Sequence, residues 1–310
     1  MSGDRFGYFI SFLSSFQVYE PFLSMDVKTT SDIFTATAEA YVNDSAEAEQ
    51  NEKKSEEFIR VFKKYPDLFP DPHLAARKYL YYFEKKALDS TLLLLYLIDQ
   101  KKFRSFVDLD QGEFKLVKDV IDKYQSALFV SPHCGPYMSF SSIIKDILQV
   151  DLAVYQNFKK EEMPFVRKFF AASGYPDRLK PLTIDPDAVS VQSITYLKSG
   201  VSVQLLSDIS FSKNKSEFKS KICGIELHAP SGQVRIAHNA QKPIIGFMIV
   251  KLGDAKFKIL MKVLYVPSPE DLDNPTIQKA VDSIFGFFSD GIMVDPVSWD
   301  RWTYMNPMGD

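Results

Sequence analysis

An α/β fold, with one mostly parallel mixed sheet flanked by helices behind an N-terminal helical segment, is predicted by three observations. First, beyond Ser126 short apolar runs of strand length alternate with helix-spaced segments, the pattern of repeated β-α-β units. Second, His73 to Gln100 reads as one long helix whose centre, Leu92 to Ile98, is almost wholly apolar and therefore buried. Third, 45% apolar and 14% aromatic residues in 310 positions supply a full core and exclude wholesale disorder. The natural division is a helical region over 1–100 packed on an α/β domain over 101–310, the two forming one structural unit.

The elements follow in order. Phe6 to Met25 is rich in aromatic and aliphatic residues but holds four serines, Gln17 and Glu20. It lacks the roughly twenty continuous apolar residues of a spanning helix and the cationic start of a secretory signal. A core-packing helix is expected there, with an aromatic segment lying on a membrane surface or lipid-like substrate as the alternative. Residues 27–56 are polar and acidic and read as a solvated helix or loop. Phe58, Val61 and Phe62 recur at helical spacing, and the prolines at 66, 70 and 72 then break the chain.

Ala127 to Val130 is a buried strand, and a helix runs through Ile143, Ile144 and Ile147. Leu152 to Tyr155 is the next strand, and a helix from Glu161 to Ala172 stops at Gly174. Leu182 to Ile184 reads as a short strand, Val189 to Leu197 as a helix, and Val201 to Leu206 as an apolar strand ending at Asp208. A hairpin around Gly224, a helix from about Ser231, strands at Ile244 to Val250 and Phe257 to Val266, and a helix from Pro275 to Phe288 complete the chain.

Charge narrows the function. With 37 basic against 40 acidic residues the net charge is −3, which argues against a nucleic-acid protein that binds through bulk charge. Cys134 and Cys223 lie apart with no CxxC spacing, a usage that fits a reducing, cytoplasmic compartment. Cys223, His228 and His238 match no standard zinc spacing, so neither a metal nor another cofactor is expected.

The chemistry-bearing residue is His133. It follows the apolar run Leu128-Phe129-Val130-Ser131-Pro132, where a strand ends and a helix is about to begin. Open α/β sheets bind their ligands at the carboxyl ends of strands, and imidazole is suited to take a proton near neutral pH. A ring at the mouth of a cleft is the expectation.

Phe103-Arg104-Ser105-Phe106-Val107-Asp108-Leu109, an amphipathic helix, then Ala127 to Gly135 resembles the lead-in to the active-site histidine of the late acyltransferases of lipid A biosynthesis, within the lysophospholipid acyltransferase superfamily. Gly200 to Asp208 is similar to that family's strand ending in aspartate. Cys223-Gly224, Ala229-Pro230-Ser231-Gly232 and Lys242-Pro243-Ile244-Ile245 are similar to its hairpin, helix start and following strand, and Pro296 to Trp302 to its closing Trp segment. The likeness covers about residues 55 to 305 in the right order.

The resemblance implies transfer of an acyl group from a thioester, on acyl carrier protein or coenzyme A, to a hydroxyl or amine of a small-molecule or lipid-like acceptor. It also implies peripheral contact with the inner membrane face when that acceptor is a lipid. His133 would be the general base, and backbone donors around Gly135 and Tyr137 would supply the oxyanion site. Arg167, one turn from the family's usual arginine, and the helix start at Ser231 and Gly232 are the further substrate-binding candidates.

One departure matters. The family spaces His-x4-Asp/Glu, and here the acid's place holds Met138. Asp208 is the first candidate to replace it and Asp185 the second. A reaction needing less base, such as aminoacyl or peptidyl transfer from a carrier protein to an amine, is one alternative, and a degenerate protein that only binds an acyl chain or carrier arm is the other. Cys134 is a candidate nucleophile, but neighbours on a strand point to opposite faces, which separates it from His133. Lys213, Lys215, Lys219 and Lys221 form the densest basic segment, suited to an acidic carrier or a phosphorylated substrate.

Overall fold

The computed structural model describes residues 22, 24–43, 48–97, 99–155, 179–182, 186–208, 216–253, 255–270 and 272–304. Among the described residues three helices come first: α1 (Val27–Val42), α2 (Ala48–Phe62) and α3 (Pro72–Leu97). A short helix α4 (Gln100–Phe106) leads into β1 (Val107–Leu109), followed by α5 (Gln111–Tyr124), β2 (Leu128–Ser131), α6 (Phe140–Leu148), β3 (Leu152–Tyr155) and β4 (Leu179–Leu182). Then come α7 (Pro186–Lys198), β5 (Ser202–Leu206), the β6 (Lys219–Ile222) and β7 (Ile225–His228) hairpin, α8 (Gly232–Ala240), β8 (Ile244–Gly253), β9 (Lys256–Tyr265) and α9 (Asn274–Ile292).

The fold is α/β, as expected. Among the described residues seven strands form the sheet in the order β1-β9-β8-β2-β5-β3-β4. The five from β8 to β4 are mutually parallel, whereas β9 runs antiparallel to β8, and β1 is parallel to β9. The sheet is therefore mixed, with its reversed strands at one edge. All four residues of β2 are buried, as a central strand covered on both faces requires.

Side-chain alternation divides the core into two halves. Leu128, Val130 and Val203 face α8, α9 and the two tryptophans, Trp299 and Trp302. Phe129, Ile245 and Phe247 face α4, α5 and α6. Helix α3 joins these halves. Its 26 residues span about 39 Å. Ala75, Ala76 and Tyr79 belong to the first half and Leu92, Leu93 and Tyr96 to the second. Its middle turns pack against the segments 137–139 and 296–298. Each large apolar side chain so buried contributes about 1.5–3 kcal/mol.

Local signals set several boundaries. Asp110 caps α5 by accepting from the backbone N–H groups of Gly112 and Glu113, and Asp273 caps α9 by accepting from Thr276. Cys223 and Gly224, with φ of 52° and 81°, make the two-residue turn of the β6–β7 hairpin.

Three readings need correction. The segment 27–56 contains α1, which is not simply solvated: Thr30, Phe34 and Ala38 are buried and the helix packs along α3. The sparse stripe of apolar residues is outnumbered by exposed polar ones, which hid the buried face. The short strand at Leu182–Ile184 begins earlier, as β4 at Leu179, through Pro181 on an edge strand. The helix after His133 opens with a 3-10 turn at Tyr137–Ser139 before α6 begins. The readings of Phe6 to Pro21 and of the helix at Glu161–Ala172 lie outside the described residues. Among the described residues no helix is long and apolar enough to cross a membrane.

The loop from β2 to α6 depends on Gly135. Its φ is +63°, and a Cβ there would collide with the Ile249 carbonyl oxygen. Gly135→Ala is expected to cost about 2–4 kcal/mol of unfolding free energy, read by urea denaturation. A loss under about 1 kcal/mol would show that this backbone can relax.

Candidate functional site

Parallel pairing of β2 with β5 sets Ser131 opposite Leu206, so the residues just beyond each strand end meet at the same edge of the sheet. Those residues are His133 and Asp208. The ring Nδ1 of His133 lies 2.7 Å from Asp208 Oδ1, and the His133 backbone N–H donates to Asp208 Oδ2 at 2.9 Å. Two positions 75 apart in the chain are thereby joined through both side chain and main chain. Asp208, the replacement anticipated for the missing acid, stands beside the imidazole. Asp185 lies outside the described residues.

Asp208 has no solvent exposure. Burial pushes its carboxyl up, but attraction to His133 and hydrogen bonds from the His133 ring, the Trp299 indole and the His133 amide outweigh this, so the group is held below the ordinary carboxylate value. An ionised carboxylate only accepts hydrogen bonds, so Nδ1 carries the proton and Nε2 of the neutral ring carries the lone pair. The hydrogen bonds of His133 among the described residues use its Nδ1, amide and carbonyl, and none uses Nε2. The His133 side chain is 7% exposed, more recessed than a cleft mouth implies. The Tyr137 ring meets it edge-on at 5.3 Å.

The chain's last described segment closes over this edge. Asp300 N–H donates to the His133 carbonyl at 2.8 Å, and Gly135 N–H to the Ser298 carbonyl at 3.0 Å. Trp299 Nε1 donates to Asp208 Oδ2 at 2.7 Å. Helix α3 adds Tyr82, whose hydroxyl donates to the Gly135 carbonyl at 3.0 Å, and Lys86, which pairs with Asp300. Asp300 also accepts from the Tyr137 hydroxyl at 3.0 Å. Burial and the Asp300 charge push the Tyr137 phenol up, so it stays protonated and a donor.

The other candidates fare differently. The backbone N–H of Gly135 is taken by Ser298, and that of Tyr137 donates to the Gly135 carbonyl at 2.9 Å. Pro136 has none, so neither of the two anticipated donors, Gly135 and Tyr137, is spare in this conformation. Cys134 is fully buried in the apolar half-core, its thiol 3.1 Å from Ser298 Oγ and pushed up by burial. A thiol in that state supplies no thiolate. Ser231 precedes α8, and Gly232 begins it. Ser231 makes no side-chain cap, and no hydrogen bond links either residue to His133 or Asp208. Arg167, Lys213 and Lys215 lie outside the described residues.

Lys219 and Lys221 are exposed on β6, and Lys219 pairs with Glu226 at 3.7 Å. A depression of about 680 Å³ between this hairpin and α9 is lined by Lys219, Lys221, Gln278 and Asp282. It does not include His133, and Ser220 donates to Asp282 and Gln278 to the Lys219 carbonyl across it. His228 Nδ1 lies 2.6 Å from the Ser216 carbonyl and His238 Nδ1 3.1 Å from the Tyr265 hydroxyl. Among the described residues no group of three His, Cys, Asp or Glu could hold a metal ion.

Trp299, Asp300, Lys86 and Tyr82 join the site only through the tertiary structure. Trp299 and Asp300 belong to the closing segment quoted for its likeness, but no spacing in the sequence connects them to Asp208. Lys86 has no distinct signal, since Arg77, Lys78, Glu84, Lys85 and Asp89 share its helix. No known family model matches the chain, and no curated protein matches it. The likeness to the late acyltransferases thus rests on the quoted residues alone.

Asp208→Asn keeps the volume and removes the charge. Because the folded-state carboxyl is depressed, its contribution to stability is complete above about pH 4 and disappears as the pH falls through the folded value. The stability gap between wild type and Asp208→Asn is expected to be about 2–3 kcal/mol at pH 7 and to shrink on acidification below about pH 4. Urea unfolding at several pH values measures it. A gap independent of pH would mean that Asp208 is not ionised.

Proposed function

We propose that the chain is an acyltransferase-type enzyme that moves an acyl group from a thioester to a hydroxyl or amine acceptor. The single observation that carries this reading is the His133–Asp208 pair at the carboxyl ends of two parallel strands, with no hydrogen bond among the described residues using Nε2. His133 removes the acceptor's proton as the acceptor attacks the thioester carbonyl. Asp208 fixes the tautomer and stabilises the imidazolium that forms. Collapse of the tetrahedral intermediate breaks the carbon–sulfur bond, and the imidazolium returns the proton to the leaving thiolate.

Asp208 also changes how Met138 is read. With a carboxylate already on Nδ1, the missing family acid no longer signals a dismantled site, and hydroxyl acceptors remain within reach alongside amines. Aminoacyl or peptidyl transfer from a carrier protein fits the same base. Acyl carrier protein or coenzyme A as donor, a lipid-like or small-molecule acceptor, and a cytoplasmic location at the inner membrane face belong to this reading. So does docking of an acidic carrier by the Lys213–Lys221 segment.

A second reading, a protein that binds an acyl chain or carrier arm without turnover, is favoured by the occupied N–H groups of Gly135 and Tyr137. Turnover of carrier-bound and coenzyme A thioesters, followed by free-thiol release, separates the two. His133→Ala is expected to lower kcat by about 10²–10⁴-fold with the fold intact. Wild type inactive on every thioester class would leave the binding reading. Cys134→Ala is expected to retain turnover within about threefold, since its thiol faces the core. Loss of activity there, with an acylated wild-type protein detected by intact mass, would move the nucleophile to Cys134.

A further inference from the structure

We propose that Trp299 is a positioning residue for the His133–Asp208 pair: its indole N–H fixes Asp208 Oδ2 so that Oδ1 faces the imidazole. The kinetic part of this inference rests on the acyl-transfer reading, whereas the positional part does not.

A buried carboxylate can turn about its side-chain bonds, and a single donor on each oxygen would leave its plane loosely set. Here Oδ2 takes two donors, the His133 amide at 2.9 Å and the indole at 2.7 Å, and Oδ1 takes the ring at 2.7 Å. Together the three donors define the carboxylate plane.

The indole is itself well fixed. Trp299 has no solvent exposure, its backbone bridges antiparallel to Cys134, and the Trp302 ring meets it edge-on at 4.9 Å. The flanking bonds, Ser298 carbonyl to Gly135 and Asp300 N–H to His133, tie the same three-residue segment to the histidine loop. Packing alone requires only an apolar ring at 299. The N–H directed at the one fully buried carboxylate bonded to the histidine is not explained by filling space.

The titratable groups facing Asp208 are His133, Tyr137 and Cys134, with the Asp300 carboxylate beyond Tyr137. Burial pushes the Tyr137 phenol and the Cys134 thiol up, so both stay neutral beside the carboxylate. Removing the indole donor withdraws one of the interactions that lowers the Asp208 carboxyl, so that group should titrate at higher pH.

Trp299→Phe removes the donor and keeps an apolar ring. In protein labelled with ¹⁵N-histidine and ¹³C-aspartate, the wild type is expected to show His133 protonated at Nδ1 with a slowly exchanging proton. In Trp299→Phe that proton should exchange at least about tenfold faster, and Asp208 should titrate at higher pH, as expected for a lost hydrogen bond to a charged group. The effect should vanish in an Asp208→Asn background, where a packing defect would persist. If thioester turnover is present, kcat should fall about ten- to a hundredfold with KM little changed, and the acid limb of the pH–rate profile should move up.

Should Trp299→Phe not fold, benzothienylalanine at 299 keeps the indole shape without the N–H and carries the same expectations. Unchanged Nδ1 exchange and unchanged Asp208 titration in the folded variant would overturn the assignment. An exchange effect that persists undiminished in the Asp208→Asn background would overturn it as well. The spectroscopic outcomes hold whether or not any thioester is turned over, so loss of the acyl-transfer reading and loss of the Trp299 role are told apart.

Discussion

The Asp208 carboxylate is the interaction on which the rest of this edge of the molecule depends. An ionised carboxyl with no solvent exposure costs several kcal/mol to bury unless its oxygens are occupied. Here they are occupied by an imidazole, the amide beside it and an indole. Taking away one donor would leave part of that cost uncompensated. The carboxylate therefore selects one arrangement of three separate chain segments, and the geometry of His133 follows from that selection.

The same constraint explains why the end of the chain and the middle of α3 both turn toward the sheet edge. Trp299 lies 91 positions from Asp208, and Lys86 lies 214 positions from Asp300. Contacts of that separation each close a long loop, an entropy cost that the apolar framework of paired strands offsets. Gly135 belongs to the same logic. Its backbone passes close to Ile249 and admits no side chain, which keeps the loop tight enough for Ser298 and Tyr82 to reach it.

Polar burial here is uneven in a way that bears on chemistry. Each oxygen of Asp208 has a partner, whereas Asp300 Oδ1 and the hydroxyls of Ser131 and Ser207 are buried with none among the described residues. The satisfied group orients the imidazole, and the unsatisfied ones lie in or beside the strand-end segments that deliver His133 and Asp208. The occupied N–H groups of Gly135 and Tyr137 set a further requirement. Charge developing on a thioester oxygen would need donors from elsewhere, or a rearranged turn, to be stabilised.

By itself the sequence determined the class of fold, most strand and helix positions after Ser126, and His133 as the residue to watch. Periodicity and punctuation are local properties, and they survive in a linear reading. It also placed Asp208 at a strand end, one of two carboxylates that could serve. Only the tertiary structure decided between reach and non-reach: β2 and β5 are adjacent although β3 and β4 intervene in the chain. That adjacency brings Asp208 to the ring, whereas the 298–300 segment takes the Gly135 amide and covers Cys134. Strand order and the return of Trp299 across the sheet edge are set by how two apolar faces are covered at once. No local spacing encodes that.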